Sequence, residues 1–384
     1  MRTLSRRELG QLAAAVTAAR ALPAAAQEPP YIGPLTGVTR LEDRHFDPVA
    51  YTMNLFADAP RKLRFQARTR GEAEAWQKTL RAKLTELVGG FIDERESLQA
   101  FTLEARSFPG YRREKVVFNS RPGMSVLGYV LIPDNARRPV PTVICLPGHG
   151  RGVDDIVGID EHGRERLDKS GYQHDFAIQV AEAGMAAVAI EPLAFGCRRD
   201  PRNVRRGLST NACQPTAGSA LLLGHTMIGW RVWDVMRTID YIAERPELDA
   251  RRVGCMGISG GGTVTLFSAA LDPRIKAAMV SGYLNTFRDS IGSISHCIDN
   301  YVPGILNWAE MYDIAGLIAP RALFVESGEK DNIFPIQASI DSFKEVKKIY
   351  EAFGAADRVE QEVFPDEHAF WGKRGIPFLA GQLT

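Results

Sequence analysis

Gly257-Ile258-Ser259-Gly260-Gly261 stands between a short apolar run, Val253 to Met256, and a helix-like segment, Thr263 to Ala270. A serine on such a strand-to-helix turn needs small neighbours, because side chains beside it would collide with the strand or the helix. The turn lifts the Ser259 hydroxyl clear of the sheet and sets it at a helix N-terminus. The next N–H, that of Gly260, then points where an oxyanion would form. The chemistry is nucleophilic attack on an acyl carbon. A serine hydroxyl is a poor nucleophile at neutral pH, so a base must take its proton and an acid must orient that base.

Both partners stand further along the chain, each in a loop that follows a strand-like run. Asp331 lies in Gly328-Glu329-Lys330-Asp331-Asn332-Ile333-Phe334-Pro335, after Ala322 to Val325, and His368 lies in Asp366-Glu367-His368-Ala369-Phe370, after Val359 to Phe364. Loops at the carboxyl ends of strands in a doubly wound sheet rise from one edge, so Ser259, Asp331 and His368 are expected to meet there. His368 is the candidate base, and Asp331 is the candidate acid that holds its tautomer. Glu329, Asp366 and Glu367 are rival acids, but the last two are tethered too closely to His368 to reach its far ring nitrogen. A second oxyanion donor is expected from Pro147-Gly148-His149-Gly150-Arg151-Gly152, which leaves the apolar run Thr142 to Leu146. By position the His149 N–H is the candidate. No His, Cys or carboxylate stands at ligand spacing beside His149, so no metal and no cofactor is expected.

The elements that must position these groups alternate. Strands are expected near Lys115 to Phe118, Val126 to Ile132 and Ala186 to Ile190, with a further strand at Ala277 to Val280. Helices are expected at Phe176 to Ala183 and Thr226 to Arg245. This alternation calls for an α/β architecture, a mainly parallel, doubly wound sheet. Ahead of it, Trp76, Leu80, Leu84 and Leu87 mark one face of a helix that stops at Gly89-Gly90, whereas Pro30 to Pro60 reads as irregular. Three regions follow: 1–26, 27–100 as a helical N-terminal extension, and 101–384 as the catalytic domain.

From roughly Phe101 onward the chain resembles α/β-hydrolases of the group around acetyl xylan esterases and dienelactone-hydrolase-like or prolyl-oligopeptidase-like proteins. Leu146-Pro147-Gly148-His149-Gly150, the Ser259 pentapeptide, Tyr301-Val302-Pro303-Gly304, Ile318-Ala319-Pro320-Arg321 and Asp331-Asn332-Ile333-Phe334-Pro335 carry the likeness. It implies an α/β-hydrolase fold with Ser259 as nucleophile, Asp331 as acid, His368 as base, and Gly260 with His149 as oxyanion donors. It also implies short-chain, acetyl-type esters of carbohydrates as substrates. Two departures stand out: the lipase-type His-Gly-Gly-Gly loop is replaced by Pro147-Gly148-His149-Gly150, and the Gly-His pair at the base by Glu367-His368. A serine peptidase is the alternative, although the region before Phe101 is too short for propeller blades. A non-catalytic binding protein on the same scaffold is a third reading, and such proteins usually lack a triad member.

The net charge is +1, from 47 basic and 46 acidic residues, which argues against a nucleic-acid partner. Ser5-Arg6-Arg7 before an alanine-rich stretch reads as a twin-arginine export signal cut near Ala26, giving a periplasmic or secreted protein; a membrane anchor would need about 18 uninterrupted apolar residues. Cys145 and Cys255 fall in expected strands. Cys197 and Cys213 flank a polar loop and suit a disulfide in an oxidising compartment, with Cys297 left over or competing for one of them. Two loops are expected to shape a polar pocket. One carries Arg198 and Arg199, which either hold a substrate carboxylate or sugar hydroxyls or brace the loop. The other, Gly282 to Gly304, carries His296, Asp299 and Tyr301, the last a candidate substrate contact.

Overall fold

The computed structural model describes residues 33–36, 44–92, 95–166, 168–204 and 212–383. The proposed export signal, with Arg6 and Arg7, lies outside them. The chain divides between Tyr51 and Thr52 into two units, and the architecture below belongs to the second.

Nine strands form one sheet: β1 (Phe101–Phe108), β2 (Tyr111–Arg121), β3 (Met124–Pro133), β4 (Val140–Leu146), β5 (Ala186–Ile190), β6 (Leu248–Ile258), β7 (Ile275–Ser281), β8 (Ala322–Gly328) and β9 (Val359–Phe364). Their spatial order is β1-β2-β3-β5-β4-β6-β7-β8-β9. β1, β2 and β3 pair antiparallel, β3 joins β5 antiparallel, and every pairing from β5 to β9 is parallel. The expected doubly wound sheet is present, with an antiparallel ribbon added at one edge.

Strand periodicity explains why helices cover both faces. Ile144 and Leu146 of β4, Ala278 and Val280 of β7, and Leu323 and Val325 of β8 turn to one core, while their neighbours Val143, Cys145, Met279 and Phe324 turn to the other. Strands buried on both sides read as continuous apolar runs, which is the signature of a parallel sheet. The first core is closed by α2 (Arg70–Leu87), α5 (Met227–Ala243), α6 (Gly260–Leu271) and α8 (Ile336–Ala352); the second by α3 (Phe176–Glu182) and α9 (Gly375–Leu383). Short helix α7 (Met311–Gly316) also packs into the first core, and α4 (Cys213–Leu222) forms a third, smaller cluster with Leu193, Phe195 and Met227.

Helix α2 begins in a capping box, with Glu72 N–H donating to Thr69 Oγ1 and Thr69 N–H donating to Glu72 Oε2. Its buried face is Ala73, Gln77, Leu80 and Leu84, with Trp76 and Leu87 only partly covered. Gln77 donates to the carbonyls of Gly316 and Ala319, and Arg81 to those of Ala270 and Leu317, so polar groups as well as leucines dock it. One expectation fails nearby. Pro48–Ala57, inside the stretch read as irregular, is a helix (α1), although none of its residues is fully buried.

Candidate active site

β6 runs into α6 through Ser259, whose backbone sits at φ 56°, ψ −120°. A non-glycine residue there is strained, a conformation that survives only where the surroundings over-determine it. Two backbone bonds hold it: Ser259 N–H donates to Ser281 O at 3.0 Å and Thr263 N–H to Ser259 O at 2.9 Å. Glycine is required at 261, where a Cβ would overlap the Leu146 carbonyl.

Asp331 and His368 come together at the ends of β8 and β9. His368 Nδ1 lies 2.6 Å from Asp331 Oδ2, and Asp331 Oδ1 accepts the N–H groups of Ile333 and Phe334 at 2.8 and 3.0 Å. Asp331 is therefore the carboxylate that reaches the imidazole, whereas Asp366 accepts the N–H of Glu367. Two bonds join the loops: Glu329 N–H to Phe364 O at 2.8 Å and Lys330 N–H to Asp366 O at 2.9 Å. Tyr172 and Phe334 flank the His368 ring, with centroids 5.8 and 5.6 Å away and nearly parallel planes. The second ring nitrogen, Nε2, is buried without a hydrogen-bond partner, and no hydrogen bond joins it to Ser259 in this structure. That nitrogen is the open acceptor a hydroxyl proton would need.

The loop after β4 reaches over the elbow. Gly148 N–H donates to Gln173 Oε1 at 2.8 Å, and the His149 carbonyl accepts from Tyr172 Oη at 2.7 Å. A Cβ placed on Gly260 would lie 3.1 Å from His149 Nδ1, so the imidazole rests against the residue after Ser259. Its other nitrogen, Nε2, is 3.3 Å from Asp299 Oδ2. Burial would lower the His149 pKa, but the Asp299 carboxylate and the Cys297 thiol outweigh it and raise it to about 9. Burial would raise that of Asp299, yet Arg231, 2.6 Å away, and His149 hold it far below the carboxylate range.

The other expected site residues fall differently. The Arg198 side chain is tucked in, pairs with Asp234 at 2.8 Å and donates to the Glu191 carbonyl, so it braces its loop instead of presenting a free cation to substrate. Arg199 is buried as well and donates to the Gly196 carbonyl. Asp299 is buried against Arg231, which removes a third polar group from the expected pocket. Tyr301 is 42% exposed, with its hydroxyl donating to the Ile291 carbonyl. It lines a cavity of about 460 Å³ together with Phe56, Phe287, Ile291, Val302 and Leu306; none of Ser259, Asp331 and His368 lines it. That cavity is mostly apolar and is not the polar pocket expected beside the triad.

The cysteine pairing differs too. All five cysteines are free; Cys197 is exposed, whereas Cys213 is buried beside Cys297, so Cys297 and not Cys197 is its neighbour. Sequence reasoning also missed Tyr172, Gln173, Phe334 and the buried Glu326, whose roles depend on contacts between distant loops that no spacing records.

A mostly parallel sheet flanked by helices, with a serine at the elbow after its central strand, is an α/β-hydrolase fold. The chain belongs to the Abhydrolase family, whose model matches residues 36–371. It is 26% identical over 238 residues to YtaP of Bacillus subtilis (strain 168), a hydrolase by name, across 60% of this chain and 73% of YtaP. It is 27% identical over 223 residues to the acetyl esterase Axe7A of Xylanibacter ruminicola, across 55% of this chain and 47% of that protein, so it spans about half the length of Axe7A. Among solved structures, a protein from Bacteroides fragilis NCTC 9343, an acetyl xylan esterase by name, superposes with a TM-score of 0.70 at 22% identity, covering 85% of this chain and 84% of that one.

Proposed function

We propose that this chain is a carboxylic-ester hydrolase that works through an acyl-Ser259 intermediate on short-chain, acetyl-type esters of carbohydrates. The observation that carries the reading is the strained Ser259, whose N–H donates to Ser281 O, together with His368, whose ring rests against the next residue, Gly282, and whose Nδ1 is held by Asp331 at 2.6 Å. Strain at a serine hydroxyl and an oriented imidazole with an open Nε2 have one shared use, which is to move a proton during acyl transfer. In the proposed cycle, Nε2 of His368 takes the Ser259 proton as Oγ bonds to the acyl carbon. The resulting oxyanion accepts the N–H groups of Gly260 and His149. The alcohol then leaves with the proton from His368, and water, deprotonated by the same nitrogen, releases the acid and restores the serine. Asp331 stays ionised and stabilises the imidazolium throughout.

Acetyl preference is supported by the aromatic and imidazole rings crowded at the elbow. Phe195 lies 4.8 Å from His149, and Tyr172 and Phe334 flank His368. The name of Axe7A points the same way. Export through the arginine pair Arg6-Arg7 belongs to the same proposal; no helix among the described residues is long and apolar enough to cross a membrane. The test is specific activity of the full chain on acetylated sugars, on alkyl esters from acetyl to octanoyl, and on peptide amides. Activity is expected to peak at acetyl or propionyl, to fall beyond butyryl and to be higher on acetylated sugars than on simple alkyl acetates. A steady rise with chain length, as burial worth about 0.8 kcal/mol per CH₂ would give, overturns the acyl assignment. Faster cleavage of amides overturns the ester assignment.

A further inference from the structure

Behind the His149 loop, three segments distant in sequence bring four ligating side chains together: His149 after β4, Cys213 at the start of α4, and Cys297 with Asp299 in the segment before Gly304. Their ligand atoms all lie within 4.8 Å of one another. His149 Nε2 is 3.3 Å from Asp299 Oδ2 and 3.8 Å from Cys213 Sγ, and Cys213 Sγ is 3.4 Å from Asp299 Oδ2. The Cys297 thiol completes the set, its Sγ within 4.8 Å of the other three ligand atoms. A tetrahedral zinc ion with bonds of about 2.0–2.1 Å to nitrogen and oxygen and about 2.3 Å to sulfur has edges of roughly 3.3 Å between nitrogen and oxygen and roughly 3.6 Å from sulfur to either. Each of the three separations falls within a few tenths of an ångström of its edge.

We propose that His149 Nε2, Cys213 Sγ, Cys297 Sγ and Asp299 Oδ2 bind one zinc ion. Two thiols give up their protons to solvent as the ion enters, leaving two thiolates and a carboxylate. Zinc and the buried Arg231 guanidinium balance those three negative charges. Arg231 is placed as an outer partner, with Nη1 2.6 Å from Asp299 Oδ2, Nη2 3.6 Å from Cys213 Sγ and further bonds to the Leu193 carbonyl. Two sulfurs select a soft or borderline ion over magnesium or calcium. Four protein ligands close the shell, so the ion holds structure and does not meet substrate. Ligation through Nε2 leaves the imidazole proton on Nδ1, against Gly260, and ties the loop after β4 to α4. The site is independent of the ester-hydrolase reading and is tested without any assay of turnover.

The experiment uses the full chain, reduced and stripped of metal under anaerobic conditions, then titrated with zinc against a chromophoric chelator and separately with cobalt(II). One equivalent of zinc per chain is expected. Cobalt should give the sulfur-to-metal charge-transfer band and the intense visible bands of a tetrahedral thiolate site, and zinc should raise the melting temperature. Cys213→Ser with Cys297→Ser should weaken zinc by more than about 100-fold, beyond what loss of an outer partner costs, while Cys197→Ser should leave it unchanged. Equal zinc affinity in the double variant, or cobalt spectra of an octahedral oxygen site, overturns the proposal. So does a reduced wild-type chain that binds no zinc and on reoxidation only closes a Cys213–Cys297 disulfide.

Discussion

Asp331 spends its two carboxylate oxygens on different tasks: Oδ2 holds His368 Nδ1 at 2.6 Å, while Oδ1 is fixed by the N–H groups of Ile333 and Phe334. An asparagine there keeps the acceptor for the loop but loses the charge that favours the imidazolium. Asp331→Asn should therefore fold normally and lose on the order of 10⁴ in kcat, as the equivalent change does in serine-protease triads. Asp366→Asn and Glu367→Gln should each cost far less. Steady-state kinetics on an acetyl ester checks this, and a larger loss in either of the two neighbours would contradict the choice of acid.

Backbone strain at the elbow makes stability move against activity. A serine at φ 56°, ψ −120° carries a cost of about 1–3 kcal/mol that glycine largely avoids. Ser259→Gly should be inactive yet more stable in urea unfolding than the equally inactive Ser259→Ala. Equal stability of the two variants would mean that the strain is absent in solution.

Gly328 lies where the acid and base loops touch, and a Cβ there would overlap the Glu367 carbonyl. Gly328→Ala must push the His368 loop outward, so kcat should fall and the melting temperature should drop. Alanine at the exposed neighbour Glu329 should do neither. An unchanged kcat in Gly328→Ala would show that the spacing of these loops does not set the base.

Glu326 introduces a pH dependence of stability. Burial raises its pKa to about 7, although Ser281 Oγ and the N–H groups of Trp371 and Gly372 donate to it and pull the other way. With a folded value above the unfolded one, the native state binds the extra proton between about pH 4.5 and 7. Stability from this group is complete below that window and is lost as pH rises through it, by at most roughly 3 kcal/mol. Urea unfolding of wild type and Glu326→Gln at pH 5 and pH 8 should show the wild type losing more. Parallel losses would remove Glu326 from the account.

Legibility in the sequence followed burial. β5 and β9 fall at the expected residues and β4, β7 and β8 within three; β4, β5, β7 and the second half of β6 are buried, mainly apolar runs, whereas the polar first half of β6 was not legible. β1 escaped because it is a mostly exposed edge strand, and α8 because its buried face mixes Ser339 and Ser342 with Val346, Ile349 and Tyr350. The elbow and its two partner loops were legible because strand ends share one edge of the sheet. Arg198 was not, since its partner Asp234 sits on a different element, and the His149, Cys213, Cys297 and Asp299 cluster was not, since its ligands come from three distant segments.

The identity of the nucleophile is tested most directly by trapping the intermediate. The full chain is mixed with an activated acetyl ester, quenched in acid during the first turnovers, digested and examined by mass spectrometry. One acetyl group should appear on the peptide containing Ser259, should be absent in Ser259→Ala, and should disappear at the rate of product release. An acetyl group at another residue, or turnover that persists in Ser259→Ala with an unchanged rate law, would contradict the acyl-serine mechanism.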